Sequence, residues 1–174
     1  LNPNTVKFTH CQYTRIPVLV NVMPGALPML GQTDGFAYLN LWLDSNRNGD
    51  WNDEWDCPGV SGVHEHIVVD HPVNVAALGP GLHVVYVTTH HPVFWPNQWA
   101  NEPAWLRVTL SERLSNKTLS GGTFGDGRGY KTPFLLGETE DYAYYDPEEP
   151  SRPADPTVGK RGRLAIIPHN CTGC

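Results

Sequence analysis

The sequence predicts an all-β fold, a β-sandwich of about seven to nine short antiparallel strands followed by an extended proline-rich C-terminal tail. Three observations carry that expectation. Segments with apolar/polar alternation or a high content of β-branched and aromatic residues recur along the chain. Glycine and proline, 17 and 16 of 174 residues, punctuate the intervals and leave little room for long helices. Apolar residues make up 40% and charged residues only 17%, which suits one buried core and argues against wholesale disorder.

In chain order, the expected strands are Thr5–Tyr13, Arg15–Val22, Phe36–Leu43, His64–Val69, Gly81–Thr89, Ala104–Leu110 and Glu140–Tyr145. In Phe36–Leu43, Phe36, Tyr38, Asn40 and Trp42 alternate with Ala37, Leu39, Leu41 and Leu43, so both faces are rich in apolar groups and a central strand is expected. Trp105, Arg107 and Thr109 alternate with Leu106, Val108 and Leu110 in the same way, and Trp42 and Trp105 are expected in the core. The sandwich spans 1–145. From 146 to 158 the chain becomes a spacer, with Pro147, Pro150, Pro153 and Pro156 at the three-residue repeat of a polyproline II helix. Residues 159–174 then carry the basic run Lys160-Arg161-Gly162-Arg163 and the β-prone Leu164–Ile167. So short a strand cannot fold alone. The tail is expected to dock on its own domain or on the sheet edge of a neighbouring copy, making a homo-oligomer or polymer.

The net charge of −6 argues against a nucleic-acid partner and suits a cation. No stretch approaches the roughly 20 apolar residues of a membrane span. Leu1 in place of Met reads as the start of a processed or trimmed chain. The even set Cys11, Cys57, Cys171 and Cys174 is consistent with disulfides and with a secreted, extracellular or cell-surface location. Connectivity is not legible in spacing. A Cys11–Cys57 bridge is favoured because it would staple the acidic loop, leaving Cys171 and Cys174 to close on each other or to cross-link neighbours. Asn116-Lys117-Thr118 and Asn170-Cys171-Thr172 are sequons for glycosylation.

The most informative stretch runs from Asp44 to Asp56. Asp44, Asn46, Asn48, Asp50 and Asn52 place side-chain oxygens at positions 1, 3, 5, 7 and 9, with Gly49 at position 6, as in an EF-hand-type calcium loop. Hard Ca²⁺ takes six to eight oxygens at about 2.3–2.6 Å, and alternate residues of a curled loop point inward to supply them. Trp55 stands at position 12, where that motif has a bidentate glutamate, so Asp53, Glu54, Asp56 or a distant carboxylate must complete the set. Five carboxylates in thirteen residues repel one another without a cation. The competing reading is an Asn/Asp/Gly-rich hairpin turn that binds nothing.

Three motifs resemble a known family. Leu39-Asn40-Leu41-Trp42-Leu43-Asp44-Ser45-Asn46-Arg47-Asn48-Gly49-Asp50-Trp51, then Trp105-Leu106-Arg107-Val108-Thr109-Leu110-Ser111, then Gly137-Glu138-Thr139-Glu140-Asp141-Tyr142 are similar to the GEVED domain over roughly residues 5–145. Thr139 departs from the valine in the family's name. The resemblance implies a non-catalytic β-sandwich module of large secreted or surface-anchored bacterial proteins. It also offers Glu138 and Asp141 as the missing calcium ligands, beside Asp44, Asn46, Asn48, Asp50, Asn52 and Asp53. The alternative is that Asp141 and Glu138 pair with Arg107 or with backbone amides.

Two other functions compete with this structural or adhesive role. Trp95 and Trp99 lie in an expected loop, where they either cap one end of the sandwich or contact a glycan or cell-surface ligand in a calcium-dependent carbohydrate-binding module. His64 and His66, with His71, His90 and His91, would be the ligands of a metal-dependent hydrolase. Neither an HExxH motif nor a GxSxG nucleophile elbow occurs, and no catalytic residue is expected.

Overall fold

Strand β1 (Arg15–Val22) shows the pattern that builds the molecule. Ile16, Val18, Val20 and Val22 are buried while Arg15, Pro17, Leu19 and Asn21 are turned outward, as in a sheet with one face in the core. The computed structural model describes residues 6–26, 35–96, 103–115 and 134–145, and the backbone of 164–166. Along it follow β2 (Phe36–Asp44), β3 (Glu54–Cys57), β4 (Val60–His64), β5 (His66–Asn74), one helical turn α1 (Val75–Leu78), β6 (Gly81–Thr88), β7 (Ala104–Ser111), β8 (Gly137–Tyr144) and β9 (Leu164–Ile166).

The larger sheet has the order β5-β2-β7-β8 and is antiparallel throughout. The second sheet, β6-β1-β9, is antiparallel between β6 and β1. Between β1 and β9 it is parallel, through Val20↔Leu164, Asn21↔Ala165 and Val22↔Ile166. Hairpin β3-β4 stands apart as a small two-stranded sheet. The fold is the expected all-β sandwich: β1 gives Ile16, Val18 and Val20, β2 gives Leu39, Leu41 and Leu43, and β7 gives Leu106, Val108 and Leu110 to a single core. Truncating one such side chain to alanine costs about 2–5 kcal/mol.

β2 is central, as its two apolar faces predict. Its second face is covered too: Trp42 is buried with Trp51 and stacks on His66, ring centroids 4.1 Å apart. Three expectations change. Residues 6–13 form no strand beyond the isolated bridge Gln12↔Val93, because Cys11 takes φ 56° and breaks the extended run. The expected strand His64–Val69 is split at Glu65, which separates β4 from β5. Trp105 is 48% exposed rather than in the core, since Ala104, Leu106, Val108 and Leu110 already occupy the inward positions of β7.

The N-terminal segment closes one pole. Phe8, Trp95 and Tyr144 are buried there in mutual ring contact, and the Tyr144 hydroxyl accepts the Phe8 N–H. The Cys11–Cys57 disulfide forms, with Cα atoms 5.4 Å apart, and ties this segment to the end of β3. The spacer 146–158, Trp99, Asn116, Asn170, Cys171 and Cys174 lie outside the described residues. No helix among the described residues is long and apolar enough to cross a membrane.

Candidate metal centre

The acidic loop leaves the sheet at Asp44, the last residue of β2, and is curled by its own side chains. Asp44, itself buried, accepts the Asn48 N–H on Oδ1 at 3.1 Å and the Gly49 N–H on Oδ2 at 3.2 Å. Oxygens at alternate positions then each take the amide two residues on. Asn46 Oδ1 accepts from Asn48 at 3.1 Å, Asn48 Oδ1 from Asp50 at 2.9 Å and Asp50 Oδ1 from Asn52 at 3.3 Å. Gly49 supplies the tight bend at φ 86°, where a side chain would be strained. Arg47 pins the loop to the closed pole: Nη1 donates to the Ser45 carbonyl at 2.9 Å, and Cζ lies 4.9 Å from the centre of the Trp95 ring.

The carboxylates that converge are Asp50, Asp53 and Glu65, which can bring one oxygen each within 4.8 Å of the others. Glu65 is a residue that sequence spacing did not single out. It follows the β3-β4 hairpin, and that hairpin returns it to the loop. Its N–H donates to the Asp53 carbonyl at 3.3 Å and its own carbonyl accepts the Leu43 N–H at 2.9 Å. The side chain is 1% exposed. Oε1 accepts the Ser45 N–H at 2.9 Å, while Oε2 is buried with no hydrogen-bond partner. Burial, and then the charges of Asp44 and Asp53, push the Glu65 carboxyl up to about 9. Burial also raises Asp44, against the pull of the amides it accepts. Asn46 and Asn48 face the same centre, both donating from Nδ2 to Asp53 Oδ2, the latter at 2.6 Å.

An orphaned buried carboxylate oxygen with two further carboxylates beside it fits a hard divalent cation. Trp55, in the twelfth place of the loop, is turned to other work and stacks on Phe94 with centroids 4.7 Å apart. Glu65 stands where a carboxylate is missing from the linear motif.

The other candidates fall elsewhere. Asp141 is held by Arg107 through two hydrogen bonds of 2.7 Å, so it is engaged in an ion pair rather than joining the loop. Glu138 pairs with Leu110, which pairs with Leu39, five residues back from Asp44 on β2. At about 3.3 Å per residue that is about 17 Å from the loop. Trp95 is 2% exposed and presents no surface to a glycan. Its place is the cap of the sandwich pole. Among the described residues, no three of the histidines bring ring nitrogens together as the three carboxylates do. His91 uses both nitrogens within the fold, Nε2 accepting the His64 N–H at 3.2 Å and Nδ1 donating to the Pro92 carbonyl at 2.9 Å. His66 Nε2 lies 2.8 Å from Asn40 Oδ1.

Compared with family models, with characterised proteins and with solved structures, the chain finds no match.

Proposed function

We propose that this chain is a calcium-stabilised structural module of an extracellular or cell-surface protein, one that joins copies of itself through its C-terminal tail. The observation that carries the calcium is Glu65. A carboxylate held in the interior with one oxygen unpartnered, beside Asp50 and Asp53, costs several kcal/mol unless a proton or a cation neutralises it. Asp50, Asp53 and Glu65 would hold the ion by charge, with Asn46 and Asn48 as neutral neighbours and Asp44 curling the loop beneath them. The ion's contribution is to cancel repulsion among these groups and fasten the loop to the hairpin.

The disulfide fits an oxidising compartment, and the similarity to the GEVED domain supports the same class of protein. The carbohydrate-binding alternative loses Trp95 to the core, and the hydrolase alternative gains no convergent histidines among the described residues, so neither is preferred.

The test is thermal unfolding with calcium and with a calcium-selective chelator, on the natural chain and on Glu65→Gln. Calcium at 100 times its dissociation constant should stabilise the natural chain by about 2.7 kcal/mol. Glu65→Gln keeps an acceptor for the Ser45 amide and should lose most of that response. A natural chain whose melting temperature ignores calcium would end the proposal.

A further inference from the structure

Among the described residues, β5, β8, β9 and β6 stand at the edges of the two sandwich sheets, and all but β6 are guarded against pairing with another chain. β5 is interrupted by register shifts against β2, takes φ 47° at Asp70 and carries Pro72. β8 carries Glu138, Glu140 and Asp141. β9 has only three residues. Short length, charge, proline and bulges are the devices by which natural sheets close their edges. β6 uses none of them. It runs for eight residues in unbroken register with β1 and contains no Lys, Arg, Asp, Glu or Pro.

The open edge is also apolar. Leu82, Val84 and Tyr86 are each more than half exposed, and the patch continues onto β1, where Leu19 lies opposite Val84 and Pro17 opposite Tyr86. The same residues aim their backbone groups outward. The Thr89 N–H donates to the Thr14 carbonyl at 3.0 Å, one step beyond the Arg15↔Thr88 pair. Bonded and non-bonded pairs alternate in an antiparallel ladder. Val87, Val85 and His83 therefore bond to β1, while Thr88, Tyr86, Val84 and Leu82 turn N–H and C=O away from it. One set of residues thus carries both the exposed side chains and the outward backbone groups.

A second copy of this chain fits that edge. Neither β1 nor β6 contains Asp or Glu although the chain's net charge is −6, so two copies meeting here bring no strand carboxylates together. The strand is also complementary to itself. Turned by a two-fold axis at Val85, β6 meets β6 of the second copy antiparallel. Every outward residue then falls on a bonded pair, Leu82 with Thr88 and Val84 with Tyr86, each way round. Val84 against Tyr86 is an aromatic–β-branched pair of the kind that stabilises sheets. An axis at Val84 would instead set Thr88 opposite Pro80, which has no N–H to give. Val85, half-buried at the flank of the core, gains cover from its counterpart at the axis.

We propose that the open edge of β6 is a homodimer interface, joining two copies through an antiparallel β6–β6 pair centred on Val85. This contact is separate from the tail contact proposed above and does not depend on it.

The test is amide hydrogen exchange of the full-length chain, read residue by residue by NMR over a dilution series. The amides of Leu82, Val84, Tyr86 and Thr88 should exchange at least tenfold more slowly in the concentrated sample. Those of His83, Val85 and Val87, already bonded to β1, should stay slow throughout. Equal exchange of the first four at both ends of the series overturns the proposal. It does so even where the chains sediment as large species, since another contact then does the joining. Two full-length variants check the register. Val84→Lys/Tyr86→Lys sets like charges opposite each other, as does Val84→Glu/Tyr86→Glu, and each alone should lose the concentration dependence at Leu82 and Thr88. Mixed in equal amounts they should regain it, because the register then sets opposite charges face to face. A mixture that exchanges as fast as either variant alone overturns the assigned pairing.

Discussion

Glu65 shows how one side chain links a loop's chemistry to its stability. Without a cation its raised carboxyl binds a proton in the native state that the unfolded chain releases from its ordinary value of 4.5 upward. The folded form therefore holds more protons between about 4.5 and about 9, and the metal-free protein should lose stability steadily as pH rises through that window. Urea midpoints measured in chelator across the range should fall, and Glu65→Gln should flatten the slope. A rising midpoint would mean that another group dominates. The loop from Asp44 to Asp53 was legible because its oxygens are spaced along one continuous stretch. Glu65 was not, because it reaches Asp50 and Asp53 only after a hairpin has folded back, and no local spacing records that return. Of the two places the sequence offered Asp141, the calcium loop and Arg107, the structure shows the second, an ion pair across neighbouring strands.

At the scale of elements, the β3-β4 hairpin is the part that delivers Glu65, and the Cys11–Cys57 bridge holds its base across a sequence separation of 46. Closing a ring of that size in the unfolded chain is worth about 4 kcal/mol. Cys57→Ser should lower unfolding stability by about that amount and weaken calcium affinity at the same time, read by calorimetry on one sample. Loss of stability with affinity intact would separate the hairpin from the centre. β8 begins where backbone meets backbone: a Cβ at Gly137, φ 124°, would lie 1.9 Å from the Leu110 carbonyl oxygen. Gly137→Ala should therefore cost more than about 4 kcal/mol and fray the start of β8, visible as lost amide protection. Alternation foretold β1, β2, β6 and β7 closely. It misplaced the segment around Cys11, because composition registers β-prone residues and not a single left-handed torsion, and it put Trp105 in the core, because both faces of β7 carry apolar residues and alternation does not say which is inward.

For the whole molecule, the two sheets share one core and strand β9 enters the second of them. Sedimentation velocity with calcium should show species larger than one chain of 19.3 kDa, and chelation should shrink or disperse them. A single small species under both conditions would detach assembly from the ion. The sandwich class was readable from turn residues and strand count. The pairing of β9 was not, since three residues carry no periodicity and their partner on β1 is distant in sequence.

The bridge from Cys11 to Cys57 also makes the acidic pole answer to redox state. With both thiols reduced the hairpin is unlatched from the N-terminal segment, and Asp50, Asp53 and Glu65 are gathered by backbone pairing alone. Oxidation shortens the search by which Glu65 reaches the loop, since the closed ring removes open conformations from the unfolded chain.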